Sequence, residues 1–158
     1  MAAALGSLRL LDDGQRAADA AGLQTARSYG KLGFQAARVQ QLTASTSLMG
    51  SINGPLASTN LDSSEKMQLG GMNGVRAYPT GEGSGSDAQL IQLELRHQLE
   101  SGINMAAFYD WGQVWLQNNP NFPGGPQDNM HIYKGFGASI GYTFDDGISP
   151  LAVVVDLN

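Results

Sequence analysis

The feature that most constrains this chain is a period-two alternation of side-chain character, repeated in three consecutive segments. From Ala88 to Leu99, the residues Ile91, Leu93, Leu95, His97 and Leu99 alternate with Gln92, Glu94, Arg96 and Gln98. From Ile103 onward, Ile103, Met105, Ala107, Tyr109 and Trp111 alternate with Asn104, Ala106, Phe108, Asp110 and Gly112. From Tyr133 to Phe144, Phe136, Ala138, Ile140, Tyr142 and Phe144 alternate with Gly135, Gly137, Ser139 and Gly141. Successive side chains of an extended chain point to opposite faces, so each segment predicts a strand with one apolar face and one polar or glycine-lined face. With 21 glycines, 15% charged residues and few of the residues that favour helices, the composition argues against a helical bundle.

The connectors sort by length. Glu100-Ser101-Gly102 and Asp145-Asp146-Gly147-Ile148 have tight-turn compositions, whereas Leu116–Ile132 and Ser58–Asp87 are long. Weaker alternation upstream predicts strands over Leu5–Leu11, Tyr29–Thr43 and Ser45–Ala57, with an Asp/Gly/Ala loop up to Ser28, and a last strand over Pro150–Leu157. The expectation is an all-β antiparallel meander of seven strands, with short turns at one rim and long loops at the other, as outer-membrane barrels show. Tyr109, Trp111 and Trp115 fall toward the long-loop end, and Tyr142 and Phe144 near the short-turn end, where interfacial aromatic girdles sit. Alternation alone fits a membrane barrel and a soluble sandwich equally well.

Charge and motif content exclude several functions. Nine basic and fourteen acidic residues give a net charge of -5 without a basic run, which argues against a nucleic-acid partner. No apolar stretch approaches the roughly 20 residues of a membrane-spanning helix, but a barrel strand needs only about 9 to 11, and a mean hydropathy of -0.19 is compatible with that. Met1-Ala-Ala-Ala-Leu-Gly lacks the basic flank and apolar core of a signal peptide, so the expectation is either a cytosolic protein or one whose front is missing. His97 and His131 are the only histidines and cysteine is absent, so no metal site and no cofactor is expected. His97 falls on the apolar face near a turn, which suits an interfacial position. Gly137-Ala138-Ser139-Ile140-Gly141 fits the hydrolase elbow, but that motif needs a strand, a sharp turn and a helix, and here it lies inside an alternating strand. Gly81–Ser86 lacks the last glycine of a dinucleotide motif and the Gly-Lys of a phosphate loop, so no nucleotide is expected and the stretch reads as a flexible loop.

The link over residues 58–87 is too long for a passive hairpin, and such loops are usually functional or disordered. It carries Asn60-Leu61-Asp62-Ser63-Ser64-Glu65-Lys66, then Leu69-Gly70-Gly71, Gly74-Val75-Arg76-Ala77-Tyr78-Pro79 and Gly81-Glu82-Gly83; Glu94-Leu95-Arg96 and Phe108-Tyr109-Asp110-Trp111-Gly112 follow. In order and spacing these resemble the C-terminal barrel of the two-partner secretion transporters, the haemolysin secretion/activation or TpsB proteins, of the superfamily that also contains the barrel-assembly protein BamA. Phe108, Asp110 and Gly112 match that superfamily's Phe-x-Asp-x-Gly signature. The chain departs from the pattern at Ala77, often Gly; at Ser86-Asp87-Ala88, usually Gly-Asp-x-Gly; and at Pro55, often Gln, where proline suits an edge or bulge.

The resemblance implies about seven strands of a sixteen-stranded transmembrane barrel, hence a partial barrel domain over residues 1–158, a fragment expected to lack the periplasmic POTRA domains, the plug helix and the closing strand. It implies a bacterial outer-membrane protein that is not an enzyme, meets outer-membrane lipid and exports a secreted TpsA-like exoprotein from the periplasm. It also implies that the loop-tip motif Val75, Arg76, Ala77 and Tyr78 enters the pore, with Arg76 meeting Asp110. Independently of it, the alternation aims Asp110 at the polar face together with Phe108 and Gly112, and Glu94 from the neighbouring strand. Arginine can meet a carboxylate bidentately; the bland alternative is that Arg76 is a solvated loop charge. The rival from another class is a plain porin or structural barrel, which needs no such pair.

Overall fold

The computed structural model of the chain describes residues 2–7, 13–25, 28–100, 102–142 and 151–157. Its elements are β1 (Ala2–Ser7), α1 (Asp13–Ala21), β2 (Ser28–Gln41), β3 (Thr46–Ala57), β4 (Met67–Gln68), β5 (Ser84–Gly85), β6 (Asp87–Gln98), β7 (Ile103–Trp115), β8 (Met130–Tyr142) and β9 (Leu151–Leu157). Seven of the strands form one antiparallel sheet in the order β1-β2-β3-β6-β7-β8-β9, and β4 pairs with β5 in a small separate ribbon. The sheet is open in this chain, with β1 and β9 at its edges.

Short turns and long connections alternate between the two rims. Leu42–Ser45 closes β2 onto β3 through hydrogen bonds from the amides of Leu42 and Thr43 to the carbonyl of Thr46. Leu99 also belongs to a turn and not to a strand, its amide reaching the carbonyl of Ile103 at 2.8 Å while Gly102 adopts a left-handed φ of 79°. Ser101, the predicted Leu8–Leu11 end of the first strand, Phe144, the predicted turn at Asp145–Ile148 and Pro150 lie outside the described residues.

Two further expectations about elements are corrected. The Asp/Gly/Ala segment before Ser28 contains α1, because four of its nine residues are alanine, the strongest helix former, and Asp13 sits in the first turn where a carboxylate favours the helix dipole. Strand β8 starts at Met130, ahead of the expected Tyr133, since Met130 and Ile132 continue the outward apolar series through register partners Trp115 and Gln113. Pro55 stands opposite Gly33 of β2, but the β3–β6 ladder stops at Asn53 and Leu90, so the proline lies beyond the paired part of that side.

The sheet is built inside out relative to a water-soluble protein. Leu93 and Leu95 of β6 are 44% exposed, Phe136 of β8 54% and Ile140 48%, whereas Glu94 is 8% exposed and Asp110 of β7 is fully buried. A soluble sandwich would reverse this, and a contiguous apolar face of that extent is an interaction surface. Each of the five interior strands pairs with a neighbour on both sides, and β1 and β9 on one side only.

Candidate functional site

The inner face acquires a core only because residues 58–86 fold back onto it. Met67 and Gln68 pair with Gly85 and Ser84, and the ladder continues through Leu69 N to Gly83 O at 3.0 Å and Gly70 N to Glu82 O at 2.9 Å. Gly81–Ser86, expected to be flexible, is therefore the return arm of an ordered hairpin, and the Ser86 hydroxyl, fully buried, accepts from the amide of Leu61. At the tip, turns close through Gly74 N to Gly71 O, Tyr78 N to Val75 O and Gly71 N to Tyr78 O.

Leu69 and Val75 of this hairpin pack with Ala88, Leu90 and Val114 of the wall, all 0% exposed. The wall is cut to receive them. A Cβ added at Gly112 would lie 2.9 Å from Val75 Cγ2 and 3.0 Å from Leu69 Cδ1, and one at Gly135 would lie 2.6 Å from Ala77 Cβ. Tyr78 meets Tyr133 edge-on, with ring centroids 5.0 Å apart.

The apolar anchor delivers Arg76 to the two wall carboxylates. Its backbone amide donates to Asp110 Oδ2 at 3.0 Å, Nε donates to the same oxygen at 2.8 Å, and Nη2 donates to Oδ1 at 2.8 Å. Nη1 donates to Glu94 Oε2. The guanidinium carbon stands 3.6 Å above the Phe108 ring centroid, where the ring's negative face attracts the cation. Glu94 Oε1 accepts in turn from Arg96 Nε at 2.6 Å. Two arginines thus face two carboxylates, and every oxygen of the pair is engaged.

The predicted set comes together: Val75, Arg76, Ala77 and Tyr78 lie against Phe108, Asp110, Gly112 and Glu94 or their strand neighbours. Sequence reasoning quoted Leu69 and Arg96 within motifs and placed Gln92 and Arg96 on the polar face, but gave none of the three a role in the site. Arg96 and Gln92 share Glu94's parity on β6, and that was the available signal; Gln92 Nε2 donates to the carbonyl of Gly74 at 2.9 Å. No local pattern reported that Leu69 would be buried.

Side-chain ties hold the loop base at the long-connection rim. Asn60, 2% exposed, donates to the carbonyls of Leu23 and Asn119 and accepts from the amide of Asn119. Lys66 Nζ donates to the carbonyl of Leu116, and burial pulls this ammonium below its usual proton affinity while Asp62 opposes the shift. Ser64 donates to the Asp62 carboxylate from its amide and its hydroxyl, which holds that carboxyl below its ordinary range.

Among the described residues no group of three or more His, Cys, Asp or Glu is placed to hold a metal. The Gly137–Gly141 motif lies wholly within β8, without the turn and helix a nucleophile elbow requires. His97 Nδ1 is 2.9 Å from the hydroxyl of Thr46 across the β3–β6 ladder. No helix among the described residues is long and apolar enough to cross a membrane.

An antiparallel sheet with apolar side chains outward and a loop buried on its polar face is a stretch of transmembrane β-barrel wall carrying an inserted loop. The chain belongs to the haemolysin secretion/activation protein family ShlB/FhaC/HecB, which it matches over residues 6–144. It is thereby part of a TpsB-type, two-partner secretion transporter. It is 40% identical over 75 residues to the heme/hemopexin transporter protein HuxB of Haemophilus influenzae strain Rd, a match covering 45% of this chain and 13% of that protein. HuxB of strain 86-028NP is 43% identical over 65 residues, covering 39% of this chain and 12% of the relative. The matched stretch is thus a small part of those relatives. No solved structure matches the chain significantly.

Proposed function

We propose that this chain is part of a bacterial outer-membrane translocase that passes a secreted TpsA-like exoprotein from the periplasm to the cell surface. Residues 1–158 form a partial C-terminal barrel domain, and residues 58–87 are its pore-entering loop. Arg76 is the residue that locks the loop to the wall. The observation that carries this reading is Asp110, fully buried on the inner face of β7 and receiving three hydrogen bonds from Arg76. A pore for passive diffusion has no use for an arginine held by two carboxylates at the tip of a packed loop, whereas a gate has. The protein acts without nucleotide or cofactor, and export is driven by folding of the partner outside the cell. Outer-membrane lipid covers the exposed face of Leu93, Phe136 and Ile140.

The test uses the intact transporter with its partner, measuring exoprotein in the medium alongside transporter in the outer membrane. Arg76→Ala is expected to cut export while leaving most of the barrel inserted, because the contact positions a loop and does not build the wall. Arg76→Lys should rescue poorly, since an ammonium keeps the charge but loses the planar fork. Combining Arg76→Ala with Asp110→Ala should cost less than the sum of the single losses. Normal export from Arg76→Ala, or strictly additive losses, would overturn the lock.

A further inference from the structure

The lock contains more positive charge than the loop supplies. Arg96 is two residues along β6 from Glu94, on the same face, and Nε takes one carboxylate oxygen while Arg76 takes the other. The side chains differ sharply in exposure, 57% for Arg96 against 19% for Arg76 and 11% for Glu94. They also differ in origin. Every bond Arg76 makes to the wall joins two elements, so all of them vanish if the loop leaves; the Arg96 bond lies within one strand and survives.

We infer that Arg96 is a positioning residue that acts as a reserve counter-ion for Glu94 and sets how readily the loop disengages; this rests on the reading of Arg76 as the lock. In the locked state the charges balance, with Arg76 and Arg96 facing Glu94 and Asp110. Release withdraws one cation. With Arg96 present, Glu94 stays paired and only Asp110 is left uncompensated. Without it, two carboxylates on adjacent strands, at neighbouring register positions opposite Phe108 and Gln92, would face each other bare.

A residue shifts a two-state equilibrium only by the difference in its interactions with the two states. Arg96 interacts more favourably with the released state for two reasons. There it is the sole partner of Glu94, whereas in the locked state it shares the carboxylate. Locked, it also bears the repulsion of a second guanidinium on the same carboxylate. Removing it should therefore tighten the lock, the opposite of what losing an ordinary structural ion pair does.

Val75 reports the equilibrium, since it is fully buried against the wall when the loop is docked and has no reason to be so when it is not. The experiment places Val75→Cys in the intact transporter, freed of any other cysteine, in outer-membrane vesicles, and follows the rate of labelling by a water-soluble maleimide. Arg96→Gln is expected to slow labelling about two- to five-fold, the range that a partly exposed ion pair of up to about 1 kcal/mol can produce. Arg96→Lys should stay near the parent rate, because a compact cation on the same strand still neutralises Glu94. Arg76→Ala in the same background should speed labelling. Unchanged or faster labelling in Arg96→Gln, with Arg76→Ala still accelerating it, would overturn the reserve role while leaving the lock intact. If Arg76→Ala fails to accelerate labelling, the lock itself falls and the reserve role with it.

Discussion

Tyr109 and Asp110 are adjacent in the chain and belong to different physical worlds. Tyr109 is 41% exposed on a face shared with Leu93, Phe136 and Ile140, while Asp110 is fully buried beneath the loop. The outer face asks only for apolar area and accepts interchangeable side chains. The inner face is satisfied by one particular loop, and there shape and charge must match residue by residue, down to the missing Cβ atoms of Gly112 and Gly135. The same strands meet both demands because period two separates them completely. The contrast teaches that in such a wall specificity is one-sided: substitutions outside should be judged by polarity, and substitutions inside by contact.

The strongest test of that contrast is Asp110→Ala, which strips Arg76 of three hydrogen bonds within a desolvated pocket. Breaking a buried ion pair costs about 3 to 5 kcal/mol, and the remaining bond to Glu94 favours the lower end. In the intact transporter the loop should become sensitive to protease while the barrel stays inserted. Loss of the inserted barrel itself would mean that the two faces are not independent.

Next in size, Ile140→Arg on the outer face should destabilise the membrane-inserted protein by about 2 to 4 kcal/mol if it lies near mid-bilayer, measured by urea unfolding from lipid vesicles. Its neighbour Ser139→Arg, pointing inward and clear of the loop core, should stay within about 0.5 kcal/mol. Equal penalties at the two positions would erase the distinction between the faces. Gln92 is not an equivalent neutral site, because its amide holds the carbonyl of Gly74.

The smallest effect is expected at the loop's flank, where Lys31 and Glu65 form a half-exposed ion pair at 3.4 Å. Glu65→Gln should cost at most about 1 kcal/mol and lose its effect at high salt, since Lys31 also donates to the Glu65 carbonyl, which the substitution leaves in place. A larger, salt-insensitive loss in the same urea titration would show that the loop is anchored as strongly at its flank as at its tip.

Much of this was legible from residue order. Alternation located β6, β7 and β8 to within a few residues and assigned Glu94, Phe108, Asp110 and Gly112 to one face, because strand geometry is a local property. Turn composition placed Gly102 in a tight turn, and the structure gives it a left-handed φ of 79°. What alternation could not do was choose between lipid and a second sheet as the partner of the apolar face. It also missed α1, because its period is helical, not two, and its nine residues, rich in Asp, Gly and Ala, have the composition of a loop.

The sequence by itself determined the strands, the rims, the two chemistries of each strand and the motifs by which the family is recognised, all of which depend on residues near one another in the chain. Only the tertiary structure decided that Leu69 and Val75 fill the space over Gly112, and that Asn60 ties the loop base to Asn119, 59 residues away. It alone decided that Glu94 is divided between an arginine 18 residues upstream and one two residues downstream. Those contacts depend on how a long loop folds back and on the register of the strands beneath it. Neither leaves a periodic trace, because each contact is made once, by side chains whose meeting is set by the path of the whole chain.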